Sequence, residues 1–241
     1  MSTFSGVVLL RLTLQRAKRF ILIAILVVTL IPVLMSVALR WVNPPTSAFM
    51  LRAQLMSVIQ DTPYPLHRWQ SLDHIPTRMQ MAVIAAEDQK FAQHPGFDVQ
   101  ALKTALHQVI AGKKARGGST ISQQLAKNLF LWEERSYVRK ALEIPLTLLL
   151  ETTLSKSRIL ELYLNLAQFG PFHYGVAEGA KYQFNKPVTQ LDTAQAAMLA
   201  CMLPAPARYQ ALQPSRSLKR KQRLIIRAID NLGGTRYLRQ L

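Results

Sequence analysis

Acidic residues are scarce in this chain. It carries 13 aspartates and glutamates against 30 lysines and arginines, a formal net charge of +17, and no acidic residue stands before Asp61. That imbalance is large for an enzyme acting on neutral metabolites and points instead to nucleic acid, anionic lipid or a polyanionic substrate. Cysteine is nearly absent as well. Cys201 is the single one, so an intramolecular disulfide is excluded and cysteine usage leaves the redox compartment unread. Within the apolar run Ala196 to Leu203 it reads as a buried, inert thiol. Alternating apolar and polar stretches are nearly missing, and neither internal repeats nor low-complexity tracts occur, which sets aside sheet-based and repeat architectures. No His or Cys pair has zinc-ligand spacing, and His67, His74, His107 and His173 are scattered without a role. A nucleotide P-loop is excluded too, because Gly118 rather than lysine precedes Ser119.

What is present begins with a long charge-free run. Phe20 to Leu39 holds no charged residue and is long enough to cross a bilayer as a helix; Pro32 inside it is tolerated in such helices. Arg11, Arg16, Lys18 and Arg19 precede it, which orients the N-terminus to the cytoplasm. Arg40-Trp41 stands where a signal peptide would have small residues for cleavage, so an uncleaved anchor is expected. A domain held outside the cytoplasmic membrane argues against nucleic acid as the partner of the positive charge. The division that follows is a basic cytoplasmic tail (1–19), a transmembrane anchor (20–40), a proline-bearing linker and membrane-proximal segment (41–70) and a folded domain (71–241). With 49% hydrophobic residues the chain can bury a sizeable core.

From Asp73 onward the periodicity is helical. Pro76 suits a first helical turn, with Met79, Val83, Ile84 and Ala86 as the apolar stripe of a helix ending near Glu87-Asp88. Ala48 to Ile59 is a short helical piece before it. Asp98 is positioned to cap Val99 to Ile110, and Gly112 to end it. A basic, flexible loop follows, and Thr120 with Gln123 has the spacing of a capping box. Ser155 and Asp192 are set to cap helices running to Leu166 and Leu203, and Pro145 should bend the helix Val138 to Glu151. Arg216 to Arg227 reads as a cationic helical tail. The class is mainly α.

Three clusters can carry chemistry. Glu87, at the C-terminal end of an apolar helix, faces the negative end of the macrodipole, and apolar neighbours also favour its protonated form, so it is a candidate for proton transfer. A solvated helix end is the plain alternative. Phe91 and His94 would wall and brace the loop that follows. The second cluster, Ser119-Thr120 through Gln124, Lys127 and Asn128, gathers hydroxyls, amides and an ammonium at a helix N-terminus, a natural anion site; capping explains Thr120 and Gln123 equally well. The third is Arg139-Lys140 with Glu143. Arg139 and Glu143 at four-residue spacing read either as a surface ion pair worth about 0.3–0.5 kcal/mol or as an ordered cradle for an anionic leaving group.

In this order the clusters resemble the peptidoglycan glycosyltransferases, family 51 of the sugar transferases, and within it the monofunctional biosynthetic transglycosylases. Glu87-Asp-Gln-Lys-Phe-Ala-Gln-His-Pro-Gly96 resembles the first motif of that family. Gly117-Gly-Ser-Thr-Ile-Ser-Gln-Gln-Leu-Ala-Lys-Asn128 resembles the second, with Ser122 where threonine is usual. Arg139-Lys140, Glu143, Glu151, Ser155-Lys156 and Tyr163-Leu-Asn165 fall in the third. The resemblance spans roughly Leu72 to Gly234. The stretch from Gly175 to Lys186 departs from the fourth motif, with its acidic residue and tyrosine displaced by one place, and the fifth, Ala196 to Ala205, has alanine where asparagine is common.

The resemblance implies a lysozyme-like helical glycosyltransferase domain behind one N-terminal transmembrane helix, single-pass in a bacterial inner membrane with its catalytic domain periplasmic. It implies that lipid II is polymerised into linear β-1,4 glycan with release of undecaprenyl diphosphate. Glu87 would be the base and Glu143 the second catalytic carboxylate. Asp88, Phe91, His94, Ser119, Thr120, Gln124, Lys127, Asn128, Arg139 and Lys140 would hold substrate. No cofactor is required, although a divalent cation, Mg or Mn, could assist the diphosphate. The implied partners are lipid II, the growing glycan strand, membrane lipids and cell-division or elongation proteins, not nucleic acid, and no transpeptidase domain is expected. Leu129 to Trp132 is apolar enough either to dip into the membrane interface or to pack in the core. A lytic hydrolase of lysozyme-like fold is the main rival, yet it needs neither the Ser-Thr helix start nor the basic pair. A non-enzymatic protein binding anionic lipid accounts for the charge but not for Glu87 or Gln123-Gln124.

Overall fold

The computed structural model describes residues 2–112 and 118–241; the basic loop expected between Gly112 and Gly118 lies outside the described residues. Ten α-helices are described. These are α1 (Ser2–Ala38), α2 (Ala48–Gln60), α3 (Thr77–Glu87), α4 (Val99–Ile110) and α5 (Ile121–Phe130), followed by α6 (Tyr137–Thr153), α7 (Lys156–Leu166), α8 (Val176–Phe184), α9 (Thr193–Met202) and α10 (Arg216–Asn231).

The middle of the molecule is α3. Met79, Met81, Ala82, Val83 and Ile84 are all fully buried, so the helix is apolar on every side rather than along one stripe, as a central helix must be. It packs on α9 and α10, and α9 is itself buried from Ala196 to Met202. The buried polar side chain of α3, Gln80, spends its amide on the carbonyls of Leu72 (3.1 Å) and Ile75 (2.8 Å), which satisfies a buried group. A second helical group is built from α5, packed against α6 and α7. The two groups meet where α3 ends and α5 begins.

Helix boundaries follow their caps. Asp98 accepts from Ala101 N at 2.9 Å, Ser155 from Arg158 N at 3.2 Å, and both Thr120 and Asp192 close reciprocal capping boxes with the glutamine three residues on. Pro76 differs from expectation by one place: it is the cap residue with extended backbone, ψ 139, and the helix starts at Thr77. Pro145 does not end α6, which runs helical on both sides of it; the missing N–H removes one hydrogen bond.

A small three-stranded sheet, ordered β1-β3-β2, was not anticipated: β1 is Leu66–His67, β2 Gln168–Gly170 and β3 His173–Tyr174. Strands of two or three residues are too short to show an alternating period. Through β1, and through α2 with Met50 only 2% exposed, residues 41–70 join the folded body although they read as a linker. Asn165, fully buried, secures the same region by accepting from Gln70 N at 2.7 Å and donating to Gln70 O at 2.9 Å.

The helix α1 continues through the charge-free run without a break and touches α6. Arg158 holds its C-terminal end, donating to the carbonyls of Leu39 (2.8 Å) and Val42 (2.9 Å). Among the described residues no helix is long and apolar enough to cross a membrane, so the expectation of an anchor at 20–40 rests on the sequence.

Candidate active site

Where α3 ends, the chain must turn away without leaving its last carboxylates in apolar surroundings. Asp88 solves this locally. Its backbone leaves the helix at φ −161, and its side chain, 3% exposed, is taken up on both oxygens. Oδ1 lies 2.9 Å from His94 Nε2, and Oδ2 accepts from Ile121 N at 3.0 Å, the first residue of α5. A carboxylate on a helix N-terminus is favourable for both parties. The turn is tightened at Gly96, φ +92, where an added Cβ would come within 2.7 Å of Thr147 Cγ2; its carbonyl accepts from Thr120 Oγ1 at 2.6 Å. Ser122 donates to Glu151, which pairs with Lys156 at 2.8 Å, and Lys156 donates to His94 O at 2.6 Å. Phe91 is fully buried below this lysine, 4.6 Å from the ammonium to the ring centre. The motif after Glu87 is therefore a brace joining α3 to α5 and α6.

Glu87 stands on the other side of that brace, in a cleft of about 920 Å³ walled by residues of α3, α4, α5, α6 and α10. Its Oε2 accepts from Gln124 Nε2 at 2.8 Å, and Gln124 Oε1 accepts from Tyr163 OH at 2.9 Å. Burial, with Glu87 and Asp88 nearby, pushes the Tyr163 hydroxyl well above its ordinary range, so it stays a donor and fixes which way the Gln124 amide points. Burial also raises the Glu87 carboxyl above its usual value; the Gln124 hydrogen bond and the charges of Lys221 and Lys127 oppose this, while Asp88 adds to it. The result is a half-buried carboxylate in one fixed orientation, with Oε1 free of protein partners among the described residues.

The cationic half of the cleft comes from α6. Glu143, 3% exposed, is held between Arg139 (NH1 to Oε1, 2.5 Å) and Lys140 (Nζ to Oε2, 2.7 Å), and Lys140 Nζ also reaches Ser119 Oγ at 3.1 Å. Arg139 is itself buried and donates through Nε to Glu134 O at 3.0 Å. The reading of Arg139 and Glu143 as a surface pair is thus corrected: the pair is buried, where loss of one partner costs about 3–5 kcal/mol. Lys127 lines the same wall. Burial, then the charges of Arg139 and Lys140, lower its pKa from the ordinary lysine value. Five basic side chains and two carboxylates line the cleft, so its field is positive even with both carboxylates ionised.

Of the residues singled out in the sequence, Glu87, Ser119, Gln124, Lys127, Arg139, Lys140 and Glu143 are brought together in this cleft. Asp88, Phe91, His94, Thr120 and Asn128 are buried and are not among its lining residues. The sequence reading assigned no role to Arg135 or Lys221, both of which line it, and did not see Tyr163 behind Gln124. As for a divalent cation such as Mg or Mn, no group of three His, Cys, Asp or Glu among the described residues is placed to hold one. Of the two cleft carboxylates, Glu143 is already occupied by two cations. The donor set does not fit a resident metal ion.

Comparison with known proteins shows the family of the chain. The sequence pattern of the family described as Transglycosylase matches residues 54–230. The biosynthetic peptidoglycan transglycosylase of Mannheimia succiniciproducens is 47% identical over 204 residues, covering 84% of this chain and 83% of the relative. That of Pasteurella multocida is 47% identical over 207 residues, 85% and 84% of the two chains. The protein of the same name from Pseudomonas aeruginosa is 42% identical over 210 residues, 87% and 90%. With the family pattern covering most of the chain, and its matched span holding both the carboxylate of α3 and the basic cradle of α6, this chain belongs to the transglycosylase family.

Proposed function

We propose that this transglycosylase polymerises lipid II into linear β-1,4 glycan, with Glu87 as the general base. One observation carries the reading: Glu87 and the Ser119–Lys140–Arg139–Glu143 cradle share a single cleft. A base and a leaving-group site are thereby available to one bound pair of substrates. Glu87 Oε1 takes the proton of the acceptor sugar's 4-hydroxyl as that oxygen attacks the anomeric carbon of the growing chain. The bond from that carbon to the diphosphate breaks with inversion. Undecaprenyl diphosphate leaves with its charge met by Lys140 and Arg139 and by Lys127, groups already oriented before the charge develops. A partly desolvated, raised carboxyl suits a base that must take a proton from a sugar hydroxyl near neutral pH. Ser119 and Gln124 position the donor. Asp88, Phe91, His94, Thr120 and Asn128 act from behind the cleft by holding the ends of α3 and α5.

The usual hydrolytic arrangement places two carboxyl groups at the scissile bond. Here the second one, Glu143, is engaged on both oxygens. We also place the chain in a bacterial inner membrane through residues 20–39, with the folded domain periplasmic. The absence of charge from Phe20 to Leu39 and the exposure of Phe20, Leu22, Leu26 and Ile31 on α1 support this.

The test is polymerisation of purified lipid II by the full chain and by Glu87→Gln. Glycan strands from the first and none from a folded second are expected. Polymerisation by Glu87→Gln at the unsubstituted rate overturns the assignment of the base, and digestion of finished glycan without polymerisation overturns the reaction.

A further inference from the structure

Two charged groups of the cleft, Arg135 and Lys221, are given no task by the reaction above; Arg135 is exposed, and Lys221 is the half-buried one. Lys221 comes from α10, in a helix whose other cations at Arg216, Lys219, Arg220, Arg223 and Arg227 are exposed. Lys221 alone of them is half-buried and lines the cleft with Glu87. Its Nζ donates to the carbonyl of Cys201 at 3.2 Å, in the last turn of α9, beside Pro204 on the same wall. No carboxylate pairs with it in a salt bridge among the described residues. Helix α10 packs on both α9 and α3, and Glu87 is the last residue of α3. The lysine is thus fixed relative to the base by the core itself.

We propose that Lys221 is a positioning residue for the base: tethered to the Cys201 carbonyl, its ammonium keeps Glu87 ionised and ready to accept the proton. The proposal rests on Glu87 being that base. Burial raises the carboxyl and so favours its protonated form. Gln124 from α5 supplies one hydrogen bond against this. The charged groups acting on Glu87 are Lys221 from α10, Lys127 from α5 and its neighbour Asp88; Arg135, Arg139, Lys140 and Glu143 line the same cleft, and Tyr163 behind Gln124 and the Cys201 thiol stay neutral. Lys221 and Lys127 both favour the ionised form. Lys127 also has a poorer hold on its own proton, being buried among cations. It is committed to the leaving-group wall.

The sign is fixed by the charge. Removing Lys221 removes an influence that lowers the Glu87 pKa, so the acidic limb of the rate profile must move to higher pH. The full chain, Lys221→Met, Lys221→Gln and Lys221→Arg are compared in lipid II polymerisation, with kcat measured across pH. For the Met and Gln variants the acidic limb is expected to move up by about one pH unit, roughly tenfold lower activity on its acidic side, with the plateau above it retained. Lys221→Arg keeps the limb in place. A limb that stays put in the two neutral variants, or a uniform loss at every pH, overturns the proposal and leaves Glu87 as the base. Only turnover by Glu87→Gln removes the base reading itself.

Discussion

At the scale of single residues, the surroundings of Glu87 favour its protonated form. Its folded-state pKa is raised, chiefly by burial, so the native state binds this proton more tightly than the unfolded chain does. Stability from this group is then fully present below the ordinary carboxylate pKa and is lost as pH rises through the raised folded value. Glu87→Gln removes the titration and keeps a similar shape. The variant is expected to melt at a higher temperature than the unsubstituted chain at neutral pH, with the difference closing as the pH falls into the carboxylate range. Melting curves at a series of pH values check this; equal melting temperatures at every pH would show that the site carries no such cost. Cys201 illustrates the opposite case. Burial raises its thiol to about 11, and it contributes to the site only through its carbonyl, as the inert reading of its apolar run suggested.

Among the elements, the start of α5 is over-determined. Thr120 caps it and hydrogen-bonds Gly96 O, Gln123 returns to Thr120 N at 3.0 Å, and Asp88 takes Ile121 N. Thr120→Ala removes the cap and the tie to Gly96 together, and a cap alone is worth about 1 kcal/mol, up to about 2. We expect a loss at the upper end of that range in denaturant unfolding, accompanied by slower polymerisation, because Ser119 and Gln124 flank the cap. A loss below about 0.5 kcal/mol, as for an ordinary surface substitution, would mean that the remaining ties suffice. These helix starts were legible because Asp98, Thr120, Ser155 and Asp192 each announce one in the sequence. The sheet was not, since strands of this length leave no period. Nor was Lys221 singled out, although it stands three residues after Leu218 and four before Ile225, on the stripe that the buried Leu218, Ile225 and Ile229 mark. The aspartate and histidine of the first motif were visible as residues, but their place behind the cleft depends on Ile121, 33 positions away, a contact no local pattern encodes. The Arg139–Glu143 pair has the spacing of a surface pair and the burial of a core one, and burial is set by how α5 packs on α6.

For the molecule as a whole, the question is how a basic domain meets a lipid-linked substrate. The charge of +17 favours any anionic surface, but it is screened by salt over a Debye length of about 8 Å at physiological ionic strength. Attachment by charge and attachment by an apolar span therefore respond differently to salt. The run is continued helix from Phe20 to Ala38, and the turn at its C-terminal end is held to α7 by Arg158, so the domain would sit at a fixed distance from the bilayer. If that run spans, membrane fractions should retain the full chain through high salt and alkaline carbonate washes. Leu26→Arg with Leu30→Arg should release it, since each arginine near the centre of a span costs about 2.5–3.5 kcal/mol on the insertion scale. The same double substitution lies outside the cleft, so polymerisation of lipid II presented in detergent should persist while polymerisation in vesicles falls. Release of the unsubstituted chain by carbonate would mean that residues 20–39 lie on the membrane or against protein rather than through it. Release by salt alone would assign the attachment to the cationic surface.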